Sequence, residues 1–298
     1  MGFGLPTPGL PVPLERDLES TLAFGCPRDF LGNRFVYAVV SPRARGLSLG
    51  VNMNPDRHCN FACVYCEVNR EAPVPALQLD IPAMIDELER ALQVTQSGAL
   101  VKYPTFRHLH PQLLELRHVS LSGDGEPTLC PAFAEAVEAV VHLRARRIVP
   151  FFKLVLITNT RGLDRPEVLE GLRLLTRRDE VWAKMEAGSQ EYMDRVDRPD
   201  CRLEQVLENI LRLARQRPVI IQSLFPLIRG EPPSTAEIEA YAQNLRRLKE
   251  SGAEIPLVQI YSATRPTPNA ACEHLPLRTL SHIAQRVREV AGLNAEVF

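Results

Sequence analysis

Short apolar runs alternate with amphipathic stretches along most of the chain. Six runs have the length and the β-branched content of buried strands. Each is followed by a stretch whose apolar residues recur every three or four positions, as on one face of a helix. The predicted strands are 47–53, 116–122, 153–159, 180–186, 219–225 and 256–262. Six strand–helix units predict a parallel α/β sheet, either doubly wound or curled into a barrel.

The amphipathic stretches predict the helices that connect these strands. Their first apolar residues are Ile81, Phe133, Val168, Leu203, Ile238 and Leu277. Pro131 suits the first turn of the second helix, while Asp164 and Ser234 suit N-cap positions of the third and fifth.

Two further segments have a less regular pattern. Residues 35–40, FVYAVV, predict either an edge strand or a covering segment, and residues 98–114 form a long loop that we expect to shield the polar end of the sheet. We divide the chain into an N-terminal extension (1–45), a core of βα units (46–262) and a C-terminal extension with the final helix (263–298).

The composition is that of a globular protein, with 45% hydrophobic and 24% charged residues. The 35 basic and 36 acidic side chains nearly cancel, which argues against binding DNA or a membrane surface through bulk charge. No apolar run is long enough to span a bilayer, and the first residues lack the basic region of a signal peptide. We therefore expect a cytoplasmic protein.

Polar residues follow the predicted strands, where parallel α/β sheets bind their ligands. The first strand leads into a group of cysteines. The residues after the other strands that we select as site candidates are Gly123, Gly125, Glu126, Thr158, Asn159, Lys184, Gln222 and Ser223.

Three of the seven cysteines fall within eight residues, which favours metal binding in a chain without a secretory signal. The clustered cysteines are Cys59, Cys63 and Cys66, and the single ones are Cys26, Cys130, Cys201 and Cys272. Four thiolates would complete a metal site, whereas three leave one position open for chemistry. A zinc site completed by His58, or an unmetallated trio, is the alternative.

The spacing of these cysteines, with the aromatic Tyr65 before the last one, resembles the signature of the radical S-adenosylmethionine superfamily. The surrounding LGVNMNPDRHCNFACVYCEVNR and the later SLSGDGEPTLCP resemble a branch of iron–sulfur oxidoreductases that includes the tRNA wyosine-base enzymes. The likeness in strand order covers roughly residues 46–262. We predict a partial, open (β/α)6 TIM-like barrel of parallel strands, with the terminal segments packed as extensions.

The resemblance implies that the three cysteines hold a [4Fe–4S] cluster whose fourth iron is chelated by S-adenosylmethionine. One electron would cleave the sulfonium and give a 5′-deoxyadenosyl radical that abstracts hydrogen from a substrate. Tyr65 would lie near the adenine. Gly123, Gly125 and Glu126 would approach the methionine part, with Glu126 accepting from its ammonium group. Asp124 departs from the family motif, which has glycine there.

Thr158 and Asn159 resemble residues that position the adenosylmethionine, and Lys184 resembles a lysine that faces its carboxylate. Gln222 and Ser223 are candidates because they follow a strand. The ordinary alternatives are a core tyrosine for Tyr65 and a tight turn for residues 123–126. A salt-bridged or polar strand end is the alternative for the rest.

Several functions fit these observations. An enzyme of this superfamily would need an electron donor such as flavodoxin or ferredoxin and a substrate that is a small molecule, a peptide or RNA. The possible enzyme classes are a tRNA-base enzyme, a glycyl-radical activating enzyme and an enzyme that acts on small metabolites. The first requires extra upstream cysteines, and only Cys26 is present. Arg144, Arg146 and Arg147 are read as a solvated helix face. A non-catalytic iron–sulfur redox sensor is the alternative of another class.

Overall fold

The computed structural model describes residues 30–69, 77–264, 267 and 269–298. Eight strands in these residues form one sheet, in the order β1-β2-β3-β4-β5-β6-β8-β10. The strands are β1 (Val36–Ser41), β2 (Gly46–Asn52), β3 (Leu116–Ser122), β4 (Lys153–Thr158), β5 (Glu180–Lys184), β6 (Ile220–Leu224), β8 (Val258–Tyr261) and β10 (Ala295–Val297). Pairing is parallel from β2 to β10, as predicted for the six strands, and only β1 is antiparallel.

The predicted helices are all present in the described residues. The helices are α1 (Ile81–Gln96), α2 (Phe133–Ala145), α3 (Pro166–Arg173), α4 (Gln190–Val196), α5 (Leu203–Ala214), α6 (Thr235–Glu250) and α7 (Leu277–Ala291). The short α4 was not predicted. Ser234 caps α6 as expected, but α3 has Arg165 rather than Asp164 at its N-cap, and Pro131 lies before the first turn of α2.

The sheet curls into a partial barrel, which confirms the predicted fold class. The rings of His118 on β3 and Trp182 on β5 pack edge to face with their centroids 5.2 Å apart, although their strands are not neighbours. The turn between β1 and β2 reaches toward the other edge of the sheet. There Arg45 pairs with Glu296 of β10 at 2.6 Å, and the Arg43 guanidinium lies 4.0 Å from the ring centroid of Tyr261.

Residues 35–40 belong to an edge strand, the first of the two predicted possibilities. The buried Glu87 of α1 holds the start of this strand, because its carboxylate accepts from the backbone amides of Arg34, Phe35 and Val36 at 2.9, 2.7 and 3.1 Å. At the opposite edge, β10 pairs with β8. Segments from both predicted extensions therefore contribute strands to the same sheet as the core.

The prediction that residues 98–114 shield the polar end of the sheet is wrong. Leu100 and Leu114 instead line a groove with Leu116, at the start of β3, and Val149, just before β4. The segment joins the C-terminus of α1 to the start of β3, so the chain direction places it at the amino ends of the strands. The cysteines lie at the opposite end of the strands, the carboxyl ends.

A second, two-stranded sheet pairs β7 (Pro226–Ile228) with β9 (Cys272–His274) in antiparallel fashion. It follows β6 and lies beyond the carboxyl ends of the large sheet. None of the helices that the structure describes is long and apolar enough to cross a membrane.

Candidate active site

The cysteine loop, residues 53–69, follows β2 at the carboxyl ends of the parallel strands. Its three cysteines have reduced thiols and are partly buried: Cys59, Cys63 and Cys66. The segment after α4 holds the loop by backbone hydrogen bonds, from Ala62 N to Asp197 O at 3.1 Å and from Val64 N to Val196 O at 2.8 Å. A stretch more than a hundred residues away in sequence therefore sets the position of the cysteines.

The three thiols have the donor chemistry of an iron–sulfur site, because thiolates are the ligands of such clusters. Within the described ranges, no three Cys, His, Asp or Glu side chains stand together as a ready metal cage. Burial raises the pKa of the Cys63 thiol well above its usual value, and the nearby Asp197 raises it further. The donor set fits the cluster, and binding requires the thiols to turn toward one another and lose their protons.

The Gly123–Glu126 turn packs directly against the cysteine loop. Gly123 has φ +138°, and a Cβ there would overlap the Asn52 side chain. A Cβ on Gly125 would overlap the carbonyl oxygen of His58, the residue before the first cysteine. Asp124, between the two glycines, accepts from Asn52 Nδ2 at 2.7 Å. Both glycines are thus needed for close packing of one part of the chain on another.

The Glu126 carboxylate is buried and accepts four hydrogen bonds. Oε1 receives Thr128 N (3.1 Å), Thr128 Oγ1 (2.7 Å) and Thr158 Oγ1 (2.5 Å), and Oε2 receives Asn159 N (2.8 Å). Burial raises the pKa of Glu126, and these bonds oppose the rise. A carboxylate has about four lone-pair sites, two on each oxygen, so the bonds within the chain fill Oε1 and leave one site on Oε2.

Asn159 extends this connection to the cysteine loop. Its side-chain amide donates to Asn60 Oδ1 at 2.8 Å and lies 4.0 Å from Cys59 Sγ. The backbone amide of Glu126 also donates to His58 O at 2.9 Å. The ends of β3 and β4 are therefore bound to each other and to the start of the cysteine motif.

A second group of buried polar side chains surrounds Tyr65. The Tyr65 hydroxyl donates to Glu186 Oε2 and lies 3.2 Å from Asp197 Oδ1. Lys184 Nζ lies 3.3 Å from the same hydroxyl, 3.6 Å from Glu186 Oε1 and 4.8 Å from the centroid of the Tyr65 ring. Tyr65 is thus the contact between the cysteine motif and the charged end of β5.

The charged groups of this network shift the pKa values of several of its members. Burial raises the pKa of Asp197 well above its usual value, and the charge of Glu186 and a hydrogen bond between the two side chains raise it further. Burial alone would lower the pKa of Lys184, but Glu186 and its other neighbours raise it well above the usual value. The pKa of Tyr65 is raised by burial and by the negative groups near it.

Lys184, Glu186 and Asp197 line a small cavity together with Asn159 and the apolar side chain of Phe61. Its free volume of about 10 Å³ is close to that of a single water molecule. The cavity joins the Tyr65 network to the contacts around Asn159, so the two polar groups belong to one site.

The structure separates the two candidates on β6. Gln222 donates to Gln259 Oε1 at 3.2 Å and accepts from the Tyr261 hydroxyl at 3.5 Å, on the same face as Lys184, its register partner. Ser223 faces the other way, because successive strand residues alternate. It donates to Met185 O at 2.6 Å and contacts the Tyr241 hydroxyl of α6. Ser223 therefore lies on the helix-covered side and outside the site.

The site also contains residues that the sequence analysis did not select. Glu186 was not selected, and Asp197 was missed, since it follows a short helix that had no clear pattern. Asn52 and Asn60 were missed as well. Only the folded chain brings Asp197 to Tyr65, 132 positions earlier. Cys26 lies outside the described residues.

The chain belongs to the radical SAM superfamily. The family model, described as Radical SAM superfamily, matches residues 53–242, which is well over half of the chain. Members of this superfamily use S-adenosylmethionine and a [4Fe–4S] cluster.

Two of the curated relatives of the chain carry the same family label, UPF0026. A UPF0026 protein of Helicobacter pylori is 24% identical over 219 residues, which cover 72% of this chain and 62% of that protein. A UPF0026 protein of Synechocystis is 27% identical over 179 residues, covering 59% of this chain and 57% of that protein. The chain thus spans less than two thirds of the length of these relatives.

Solved structures share the fold at low identity. SuiB of Streptococcus suis, bound to S-adenosylmethionine, has a TM-score of 0.56 at 16% identity and matches 86% of this chain and 51% of its own. TYW1 with a lysine–pyruvate adduct bound has 0.54 at 15%, with 83% and 74% matched. A spore photoproduct lyase has 0.56 at 9%, with 89% and 79% matched.

Proposed function

We propose that the chain is a radical S-adenosylmethionine enzyme whose [4Fe–4S] cluster is held by Cys59, Cys63 and Cys66. The observation that supports this most directly is the position of the three reduced thiols in one loop at the carboxyl ends of the strands of a parallel partial barrel. The bound group supplies one electron that cleaves S-adenosylmethionine to methionine and a 5′-deoxyadenosyl radical, which abstracts a substrate hydrogen.

Glu126 and Asn159 act in this proposal by positioning the cluster loop. Three donors occupy Glu126 Oε1, whereas Oε2 has one donor and keeps a lone pair for the cofactor ammonium, the role implied by the family resemblance. The same bonds orient Thr158 and the backbone of Asn159, whose side chain lies beside Cys59. Gly123 and Gly125 contribute by letting this turn approach the loop.

Lys184, Tyr65 and Gln222 are the proposed contacts with S-adenosylmethionine. Lys184 has the positive charge that would pair with the carboxylate of S-adenosylmethionine, and its side chain is 25% exposed. Tyr65 offers a ring beside the last cysteine, while its hydroxyl is held by Glu186 and Asp197. Because the lysine is already balanced by acidic neighbours, we expect cofactor binding to displace its contact with Glu186.

The partners in this proposal are a substrate of unassigned class and a one-electron donor such as flavodoxin or ferredoxin. Both would approach the carboxyl edge, where the partly exposed Cys66 and the exposed Glu67 lie. The alternative function is that of a non-catalytic iron–sulfur protein that holds or senses electrons.

Reductive cleavage of S-adenosylmethionine tests the proposal without knowledge of the substrate. The protein is reconstituted anaerobically, and iron and sulfide are measured. After reduction with dithionite, methionine and 5′-deoxyadenosine are quantified by liquid chromatography. We expect about four irons and four sulfides per chain and detectable 5′-deoxyadenosine.

Cysteine variants separate the possible outcomes. Replacing Cys59, Cys63 or Cys66 with alanine should abolish both iron binding and cleavage. Cys272→Ala is the control far from the cysteine loop. Cys201→Ala is the more stringent control, because Cys201 follows the segment that holds the cysteine loop. Iron loss in Cys201→Ala would exclude the three-thiolate site. A full cluster with neither S-adenosylmethionine binding nor 5′-deoxyadenosine would favour the non-catalytic protein.

A further inference from the structure

The amino ends of the strands carry a groove that the proposed chemistry does not use. It has a volume of about 430 Å³ and lies between the end of α1, the 98–116 segment and residues 149–151. Its walls are mainly apolar, with Leu92, Val101, Leu114 and Phe151 among them. This size is in the range of sites that take organic groups.

Exposed apolar side chains are concentrated around this groove. Six large ones in the described part of the chain are more than a third exposed, and five belong to loops at the amino ends of the strands. These five are Val101 (46%), Leu113 (40%), Ile148 (40%), Phe151 (51%) and Leu174 (38%). The sixth, Leu277 (66%), begins α7 elsewhere. Such a concentration on one face is typical of an interaction surface.

The same face carries positive charge that the chain does not neutralise. On this face, six exposed cations have no acidic partner among the described residues: Lys102, Arg107, Arg147, Arg173, Arg177 and Arg178. Three acids near the groove already have partners, since Asp179 pairs with Arg144, Glu89 with Arg146, and Glu115, which lines the groove, with Arg117. Three α-to-β loops supply most of these arginines, so the basic character comes from the fold and not from one helix face.

Aromatic and basic side chains meet at the edge of the groove. The Phe151 ring lies between two guanidinium groups, 5.0 Å from that of Arg144 and 5.2 Å from that of Arg178. Arg144 is anchored by Asp179 at 2.6 Å, which leaves Arg178 as the cation facing outward. A hydrophobic side chain entering the groove would thus pass beside positive charge.

We propose that this amino-end face, defined by the groove and the cations above, is a docking surface for an amphipathic protein segment with acidic flanks. A concave apolar groove takes aliphatic or aromatic side chains, as in helix-in-groove recognition. The surrounding cations complement carboxylates on the flanks of the same segment. An RNA backbone would use the cations but leave the apolar walls unfilled, and a membrane surface would not fill a concavity.

The location of this face has a consequence for activity. The groove lies at the amino ends of the strands, whereas the cysteine loop follows the carboxyl end of β2. A docked partner would leave the cysteine loop free. The proposal does not depend on the proposed function, and its test needs neither cluster nor S-adenosylmethionine.

The test measures binding of a fluorescein-labelled synthetic helix to the full chain by fluorescence anisotropy. The probe is a 16-residue peptide with leucine at helix positions i, i+3, i+4 and i+7 and glutamate on both flanks. We expect saturable binding that weakens as salt rises. Phe151→Ser and Arg178→Glu should each weaken it about tenfold or more, as for residues central to an interface.

Matched controls make the result specific to the face. Leu277→Ser changes a more exposed apolar residue, and Arg278→Glu an exposed arginine, both on α7, and neither should alter the affinity. Circular dichroism melts confirm that all four variants fold. The proposal is overturned if the full chain does not bind the probe, or if a lysine-flanked peptide binds equally well. It is also overturned if the α7 variants weaken binding as much, or if polyuridylate or phosphatidylglycerol vesicles bind more tightly through Phe151 and Arg178.

Discussion

At the residue scale, two buried carboxyl groups depend on one phenolic hydroxyl. Tyr65 donates to Glu186 and lies within hydrogen-bond distance of Asp197, while Lys184 supplies the nearby positive charge. Removing a donor from buried acceptors leaves them unsatisfied, which costs more than the net value of an average hydrogen bond. The tyrosine beside the last cysteine is therefore expected to stabilise the fold as well as contact the cofactor.

Tyr65→Phe should lower the free energy of unfolding by about 1–3 kcal/mol, because Glu186 and Asp197 lose their shared donor. Urea unfolding followed by circular dichroism measures the change. Tyr192→Phe is the matched control: that hydroxyl is also buried but has no hydrogen-bond partner in the described structure, so its loss should be neutral or stabilising. Equal losses in the two variants would contradict the role given to the Tyr65 network.

His118, inside the barrel, should make the protein sensitive to acid. Burial, with a contribution from Lys153, lowers the pKa of His118 from 6.5 to about 3. The unfolded chain therefore takes up this proton first, and stability falls as the pH drops from 6.5 toward 3, by up to about 1.4 kcal/mol per pH unit.

Unfolding measured from pH 7 to pH 4 should show this slope in the native protein and a smaller one in His118→Leu. His282→Gln removes an exposed histidine of α7 and should leave the slope unchanged. If His118→Leu kept the full slope, other groups would be responsible for it.

At the element scale, the turn after β3 determines where the cysteine loop lies. Gly125 has no room for a side chain, since a Cβ would overlap His58 O and crowd Asn54. Gly125→Ala should therefore displace the start of the cysteine motif and reduce iron bound after reconstitution by more than half, while the far-ultraviolet circular dichroism stays native. Gly230→Ala is the control: its surface turn has open space, so the strain of a side chain at its φ of +77° stays local and the bound iron should remain normal. Normal iron content in Gly125→Ala would show that the loop tolerates the shift.

At the scale of the whole molecule, the terminal strands should unfold together with the sheet. β1 pairs with β2 along six residues, β10 pairs with β8, and Glu87 fixes the start of β1. Native-state hydrogen exchange should give the paired amides of β1 and β10 opening free energies close to those of β3 and β4. Exchange faster by several orders of magnitude would instead support extensions that are separate from the core.

The family and the six βα units were accessible from the sequence because their signals are local. Strand periodicity repeats every two residues and helix periodicity every three or four, and the cysteine motif occupies eight consecutive positions. Chain direction alone was enough to place Lys184 and Asn159 at the same edge as the cysteines. Strand alternation already distinguishes Gln222 from Ser223, although both were selected.

Tertiary structure decided the contacts that join distant segments. No local pattern indicates that Asp197 reaches Tyr65, that Glu126 accepts hydrogen bonds from Thr158 and Asn159, or that Arg144 and Arg178 meet at Phe151. Such pairs depend on the curl of the sheet and on the packing of helices against it. The sequence by itself thus determined the class of chemistry and the order of the elements. The folded chain determined which polar groups are buried together, because burial and pairing are properties of the whole packing arrangement.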